Sequence, residues 1–258
     1  MSITEDTMTT HNPAQQLSAA KRPKDLFKRV VTAVIGAPLI LWLFVSQTAY
    51  VAYFLSALTF LLVGEWAYMV FQLRKSEAQK LYWLGLGTLY IVTAMYGFYD
   101  LYLYSMPLAI TLLLATWASD SAAYFTGRRL GGPKLAPRIS PNKTWSGTIG
   151  GLVGALIVAA LSCMFLKGRV TFNYAGLFII IVAVGQVGDL LESAVKRYFH
   201  LKDSSNIIPG HGGVLDRMDS LLLSSLFIYG LKLLVGYGPL FRLPKKSLLV
   251  FFTLDSSS

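Results

Sequence analysis

Residues 174–197 read YAGLFIIIVAVGQVGDLLESAVKR, an apolar run that closes on Asp189, Glu192 and Lys196. No charge occurs from Val170 to Gly188, close to the ~20 helical residues that cross a hydrocarbon core about 30 Å thick. Offsets of three and seven residues put the three ionisable side chains on one helical face, within ~60° at about 100° per residue. Ionisable groups inside a span are costly, turn toward the bundle interior and mark function by default. A Glu192–Lys196 ion pair is the purely structural account of two of them. Asp189 lies deepest and has no partner at helical spacing, so a metal ion or a basic group from another span is needed to keep it ionised.

The same pattern recurs outward in both directions. Val30–Gly64, Leu81–Tyr99, Leu101–Ser119 and Thr144–Leu166 are also free of charge, in a chain of 258 residues that is 54% hydrophobic and only 14% charged. A soluble domain carries about 25% charged residues. The expectation is an all-α, polytopic transmembrane helix bundle of about seven spans, with six to nine compatible. They lie near Val30–Val45, Tyr50–Phe71, Leu81–Tyr99, Leu101–Phe125, Thr148–Leu166, Tyr174–Val195 and Ser220–Leu234. Residues 1–25 read as a polar, disordered cytosolic lead-in without the apolar core of a signal peptide. Residues 26–237 read as the transmembrane catalytic domain, and residues 238–258 as a tail that fits an interfacial position.

The formal net charge of +10 does not point to nucleic acid, because the cations are placed by topology. With a cytosolic N-terminus, Lys21 to Arg29, Arg74 to Lys80, Arg128 to Lys143, and Lys196 to Arg217 gather most of the 23 Lys and Arg on one side, against Lys167 and Arg169 opposite. This is the positive-inside bias, and the bacterial inner membrane is the expected location. The single Cys163 reads as a small packing residue.

Two loops on the basic side, Gly127–Trp145 and Tyr198–Leu215, interrupt the apolar chain. The second holds Lys202-Asp203-Ser204-Ser205, Pro209-Gly210-His211-Gly212-Gly213 and Asp216-Arg217-Met218-Asp219. Glycines around His211 allow backbone N–H groups to converge on an anion, and the following helix start adds positive potential. Asp216 and Asp219, one turn apart, are hard oxygen ligands suited to Mg²⁺, and Arg217 can grip a phosphate. His211 could equally brace the loop. Asp120 is a second intramembrane acid, set among small residues that also suit a helix-packing hydrogen bond. Glu65, near the basic end of its span, reads either as a functional acid or as a side chain reaching the interface.

The stretch from Ser193 to Asp219 resembles the signature of the phosphatidate cytidylyltransferase (CDP-diglyceride synthase) family. Its elements are Ser193, Lys196-Arg197, Lys202-Asp203-Ser204, Ile208 to Gly213, and Asp216-Arg217-Met218-Asp219. Asp120–Tyr124, Lys134–Pro137, Ser140–Trp145 and Gly188–Leu190 are also similar to family segments, whereas the first hundred residues match only as apolar spans. Family members often carry Glu after Lys-Thr-Trp, where this chain has Ser146.

The resemblance implies transfer of CMP from CTP to phosphatidic acid, with Mg²⁺ and room for a monovalent cation such as K⁺. It places Asp189, Asp216 and Asp219 at the metal with Asp120 close by, and Lys196 and Arg217 among the catalytic groups. Lys143, Ser193, Arg197, Lys202, Asp203, Gly210, His211, Gly212 and Gly213 would contact substrate. A homodimer is an open expectation, and the bilayer is the partner that matters. Two other readings are the same chemistry on another lipid phosphate, and an ion-coupled transporter using Asp120, Asp189 and Glu192 as a relay. The glycine-rich loop running into Asp-Arg-Met-Asp has no evident part in transport.

Overall fold

The computed structural model describes residues 36, 38–46, 48–165, 172–205 and 212–237. Gly210, His211, the start of the expected first span and the tail from 238 onward lie outside the described residues. The chain divides into two units, Met1–Ile40 and Leu41–Ser258. In the first, the described residues 36 and 38–40 are helical. Everything below concerns the second.

The helices are α1 (Thr48–Phe71), α2 (Glu77–Tyr104), α3 (Met106–Leu130), α4 (Trp145–Phe165), α5 (Phe172–Tyr198) and α6 (Leu215–Val235). A two-stranded hairpin, β1 (Lys134–Ala136) and β2 (Ser140–Thr144), lies between α3 and α4. Six helices among the described residues are long and apolar enough to cross a membrane. Their surfaces run opposite to those of a soluble protein: Phe60, Leu89, Ile157 and Leu191 are exposed, while Glu65 and Asp219 are buried. The protein is a polytopic helical membrane bundle.

The helix boundaries have local causes. Ser76 caps α2, its Oγ accepting from the Gln79 amide at 3.4 Å. A helix break at Asp100 was the expectation from its charge, yet α2 runs through it to Tyr104. The carboxylate is neutralised inside the bundle, with both oxygens 2.7 Å from Lys232 Nζ and Tyr237 Oη donating at 2.7 Å. The break falls at Ser105, and α3 follows from Met106 with Pro107 in its first turn, where a missing N–H forfeits no intrahelical hydrogen bond. α4 starts at Thr144, whose Oγ1 accepts the Gly147 amide at 3.1 Å. The expected seventh span is longer than its apolar run: α6 begins at Leu215, so Asp216 and Asp219 are helical.

Among the described residues, the hairpin is the departure from the all-helical expectation. Lys134 pairs with Thr144 and Ala136 with Ser140, antiparallel and with an irregular register between them. Ser146 closes the base of the hairpin by donating to the Gly131 carbonyl and sharing a 3.0 Å hydrogen bond with Thr144 Oγ1.

α3 packs along α4, α5 along α6, and α2 against both α1 and α6. Small residues set the closest approaches, as membrane helices without a hydrophobic drive between them require. A Cβ on Gly188 would stand 2.8 Å from the Asp219 carbonyl and 2.9 Å from Leu223 Cβ. Only glycine lets α5 and α6 meet there, and this contact brings Asp189 beside Asp219.

Candidate active site

The sequence-predicted acids and cations gather where the hairpin, the ends of α3 and α5 and the start of α6 come together. They form two clusters.

In the first, β2 carries Lys143 to α5. Lys143 Nζ lies 2.5 Å from Asp189 Oδ2 and donates to the Gln186 carbonyl at 3.4 Å. A basic group does stand against Asp189, but it comes from the hairpin and not from another span. Gln186 fixes this neighbourhood by donating to Ser119 Oγ at 3.2 Å and to the Thr148 carbonyl at 3.1 Å. That ties α3, α4 and α5 together next to Asp120. Asp120 sits on α3 with its side chain exposed on the bundle surface. It interacts electrostatically with Asp189, Lys143 and Arg217. Asp219 is buried, interacts with both Asp189 and Asp120, and accepts the Ser220 amide at 2.6 Å.

In the second cluster, Lys196 Nζ stands 2.6 Å from Glu192 Oε2 and 2.6 Å from Asp216 Oδ1. All three side chains are nearly buried. The contact to Glu192 is one of charge, since neither of its oxygens accepts an aligned hydrogen bond among the described residues. Both oxygens of Asp216 are occupied: beyond Lys196, they accept the Ser204 amide at 3.1 and 3.3 Å and the Gly213 amide at 3.0 Å.

Glu65 of α1 joins this cluster and does not reach the interface. It is 1% exposed and accepts from Ser205 Oγ at 2.5 Å, the Val214 amide at 3.0 Å and the Leu215 amide at 2.6 Å. The N-cap of α6 is Val214, which has no side chain able to cap. A buried helix start must find acceptors for its free amides elsewhere, and Glu65 supplies them. Gly213 is pressed so closely here that a Cβ would sit 1.8 Å from Ser204 Oγ. Gly212 before it has φ +81°, a conformation that costs glycine nothing.

The remaining predicted residues lie around these clusters. Ser193 is half-buried on α5, and Lys202 and Asp203 are exposed. Arg197 donates to the Leu201 carbonyl at 3.1 Å and to the Ile139 carbonyl at 3.4 Å, linking the end of α5 to the hairpin turn. Glu65 and Gln186 were not singled out as site residues by sequence. Glu65 carried the faint signal of an acid in an apolar span, and Gln186 carried none.

No group of three or more His, Cys, Asp or Glu side chains among the described residues is arranged to hold a metal ion. Mg²⁺ does not require one, because it keeps several waters and is commonly bound by one or two carboxylates together with substrate phosphates. Three mutually interacting carboxylates, Asp120 on α3, Asp189 on α5 and Asp219 on α6, make a hard-oxygen set that fits such an ion.

A helical membrane protein with carboxylates, lysines and bound amides massed at one end of the bundle is the class of molecule that fold and site define. The model of the Cytidylyltransferase family matches residues 100–234, and the chain belongs to that family. It is 35% identical over 237 residues to a protein of Rickettsia bellii named phosphatidate cytidylyltransferase, covering 85% of this chain and 97% of that one. Proteins of the same name from Brucella suis and Bacillus subtilis are 36% and 37% identical over 144 and 127 residues. Those matches cover 56% and 49% of this chain. They span about half the length of the two relatives, 51% and 47% respectively.

Proposed function

We propose that the protein transfers the CMP moiety of CTP to phosphatidic acid, giving CDP-diacylglycerol and pyrophosphate. The observation that carries this reading is the concentration of Asp120, Asp189 and Asp219 with Lys143 and Arg217 at one end of a membrane bundle. The near full-length likeness to the Rickettsia bellii protein supports it.

The chemistry asks little beyond positioning and charge neutralisation. A phosphate oxygen of the lipid attacks the α-phosphorus of CTP, and the bond from that phosphorus to the β-phosphate oxygen breaks, releasing pyrophosphate. The nucleophile is already an anion, so no general base is needed. The obstacle is the approach of two polyanions. Mg²⁺, held by Asp189 and Asp219 with Asp120 near it, would supply positive charge against the phosphates. Lys143 and Arg217 would hold phosphate oxygens, with Arg217 offering a planar fork that lysine lacks. Lys196 stands back from them, keeping Glu192 and Asp216 compensated. Asp216 is committed to the Gly213 and Ser204 amides, so in this reading it orients the loop ends and does not ligate the metal. The basic bias of the loops supports a site facing the cytosol from the bacterial inner membrane, where CTP is dissolved.

The test is transfer of label from CTP into chloroform-extractable lipid by purified protein supplied with phosphatidic acid. Transfer should vanish in EDTA and return with Mg²⁺. No transfer to any lipid phosphate, or full transfer by thoroughly chelated protein, would overturn the catalytic or the metal part of this reading respectively.

A further inference from the structure

Both ends of the glycine-rich segment are held by the same two carboxylates. Ser204 and Ser205 precede it; Gly213, Val214 and Leu215 follow it. Asp216 takes the Ser204 and Gly213 amides, and Glu65 takes the Ser205 hydroxyl together with the Val214 and Leu215 amides. Asp216 is local, only three residues from Gly213. Glu65 arrives from 149 and 150 residues away.

Its own position is fixed from behind. The adjacent Trp66 donates Nε1–H to the Trp83 carbonyl at 2.9 Å and lies 5.7 Å from the Phe199 ring. A Cβ on Gly87 would collide with the Trp66 ring at 1.9 Å, so α2 is cut away to receive it. A buried carboxylate is expensive unless donors surround it. Here one is anchored on α1 and turned toward the unfilled amides of another helix.

We propose that Glu65 is a positioning residue for catalysis: it clasps the two ends of the glycine-rich segment and sets the start of α6, and thereby the placement of Asp219 against Asp189. The inference rests on the transferase reading for its link to turnover, but its structural half does not. Glu65→Gln keeps the size of the side chain and loses one of the two acceptor oxygens that the Val214 and Leu215 amides use. Its new NH₂ must then face an N–H donor.

The experiment uses the full chain in detergent or nanodiscs without substrate and compares backbone hydrogen exchange with wild type. In Glu65→Gln, exchange should rise at least tenfold in peptides covering residues 203–205 and 212–217, with α2 and α3 unchanged. In label-transfer kinetics, kcat should fall at least tenfold while the KM for CTP changes less than threefold. Glu65→Asp, which keeps the carboxylate on a shorter stem, should recover part of kcat. Should Glu65→Gln fail to fold, Ser205→Ala removes one donor and leaves the carboxylate. Exchange should then rise on the 203–205 side alone. Unchanged exchange in whichever variant folds overturns the clasp. Faster exchange with wild-type kcat overturns its catalytic role. A wild-type protein that transfers no label instead sinks the transferase reading and leaves the exchange result to judge the clasp alone.

Discussion

Gly188→Ala is the substitution whose effect the packing states most directly. The new Cβ would lie 2.8 Å from the Asp219 carbonyl oxygen and 2.9 Å from Leu223 Cβ. Ordinary C···O contacts are about 3.3–3.6 Å and C···C contacts about 3.5–4.0 Å, so α6 must retreat by roughly 0.5–1 Å. Both obstacles belong to α6, one of them to its backbone, so no rotamer change relieves them. Overpacking of this kind costs about 1–3 kcal/mol of stability. The retreat also moves Asp219 away from Asp189, and misplacement by about 1 Å can cost ~100-fold in rate. The expected loss in kcat is therefore about 10- to 100-fold, or roughly 1.4–2.7 kcal/mol. The assay is label transfer from CTP to lipid at saturating substrate, with thermal denaturation in the same detergent. Gly230→Ala is the control, on the facing helix α6 with nothing within 4 Å of its Cβ, and it should keep its activity and melt no lower than wild type. Wild-type kcat in Gly188→Ala would refute the argument that this contact sets the Asp189–Asp219 geometry.

Three further expectations follow from the site. Asp189→Asn and Asp219→Asn should each lower turnover by more than ~100-fold, about 2.7 kcal/mol of transition-state stabilisation; near wild-type turnover in either removes that residue from the site. Lys196→Met leaves Glu192 and Asp216 as buried charges without their cation, a loss of about 3–5 kcal/mol. Adding Glu192→Gln should restore part of it, and a double variant no more stable than the single one would show that Lys196 does not serve that pair. Arg138→Cys and Lys202→Cys, both at exposed positions and each made with Cys163→Ala, should react with an impermeant maleimide only after the inner membrane is opened. Labelling in intact spheroplasts would reverse the orientation.

What could be read in advance depended on whether a residue's partners leave a trace in the sequence. Asp189, Glu192 and Lys196 stood out because charge is rare in a span, and helical spacing put them on one face. The spacing could not say that the face is divided, with Asp189 paired to Lys143 on the hairpin and Lys196 shared with Asp216 on α6. The first pairing comes from the fold of the hairpin against α5 and the second from the packing of α5 on α6. Asp216 reads as a metal ligand from its chemical type, and the Ser204 and Gly213 amides that its oxygens accept leave no trace in the sequence, being backbone groups common to every residue. Glu65 was ambiguous for the same reason: two of its three donors are main-chain N–H groups in a distant segment. The hairpin was hidden by its shortness and by Pro137 and Pro141, which break strand patterns as they break helices. The α2–α3 boundary lies five residues beyond the charge at Asp100 that separates the two apolar runs, because Lys232 and Tyr237 satisfy that carboxylate from sequence-distant positions.

The reach from Glu65 to α6 also bears on how the molecule is assembled. Synthesis proceeds from the N-terminus, so α1 reaches the membrane with its acid long before residues 205, 214 and 215 exist to satisfy it. Until those residues are made, α1 holds an unsatisfied carboxyl group, a polar vacancy at one end of the bundle. Such a vacancy is unfavourable in hydrocarbon and is filled only by the arrival of α6. The same holds for Asp100, which waits for Lys232 and Tyr237 at the far end of that helix. α6 is thus drawn into register by an unmet carboxyl group near each of its ends, and its arrival sets its packing and the polar site together.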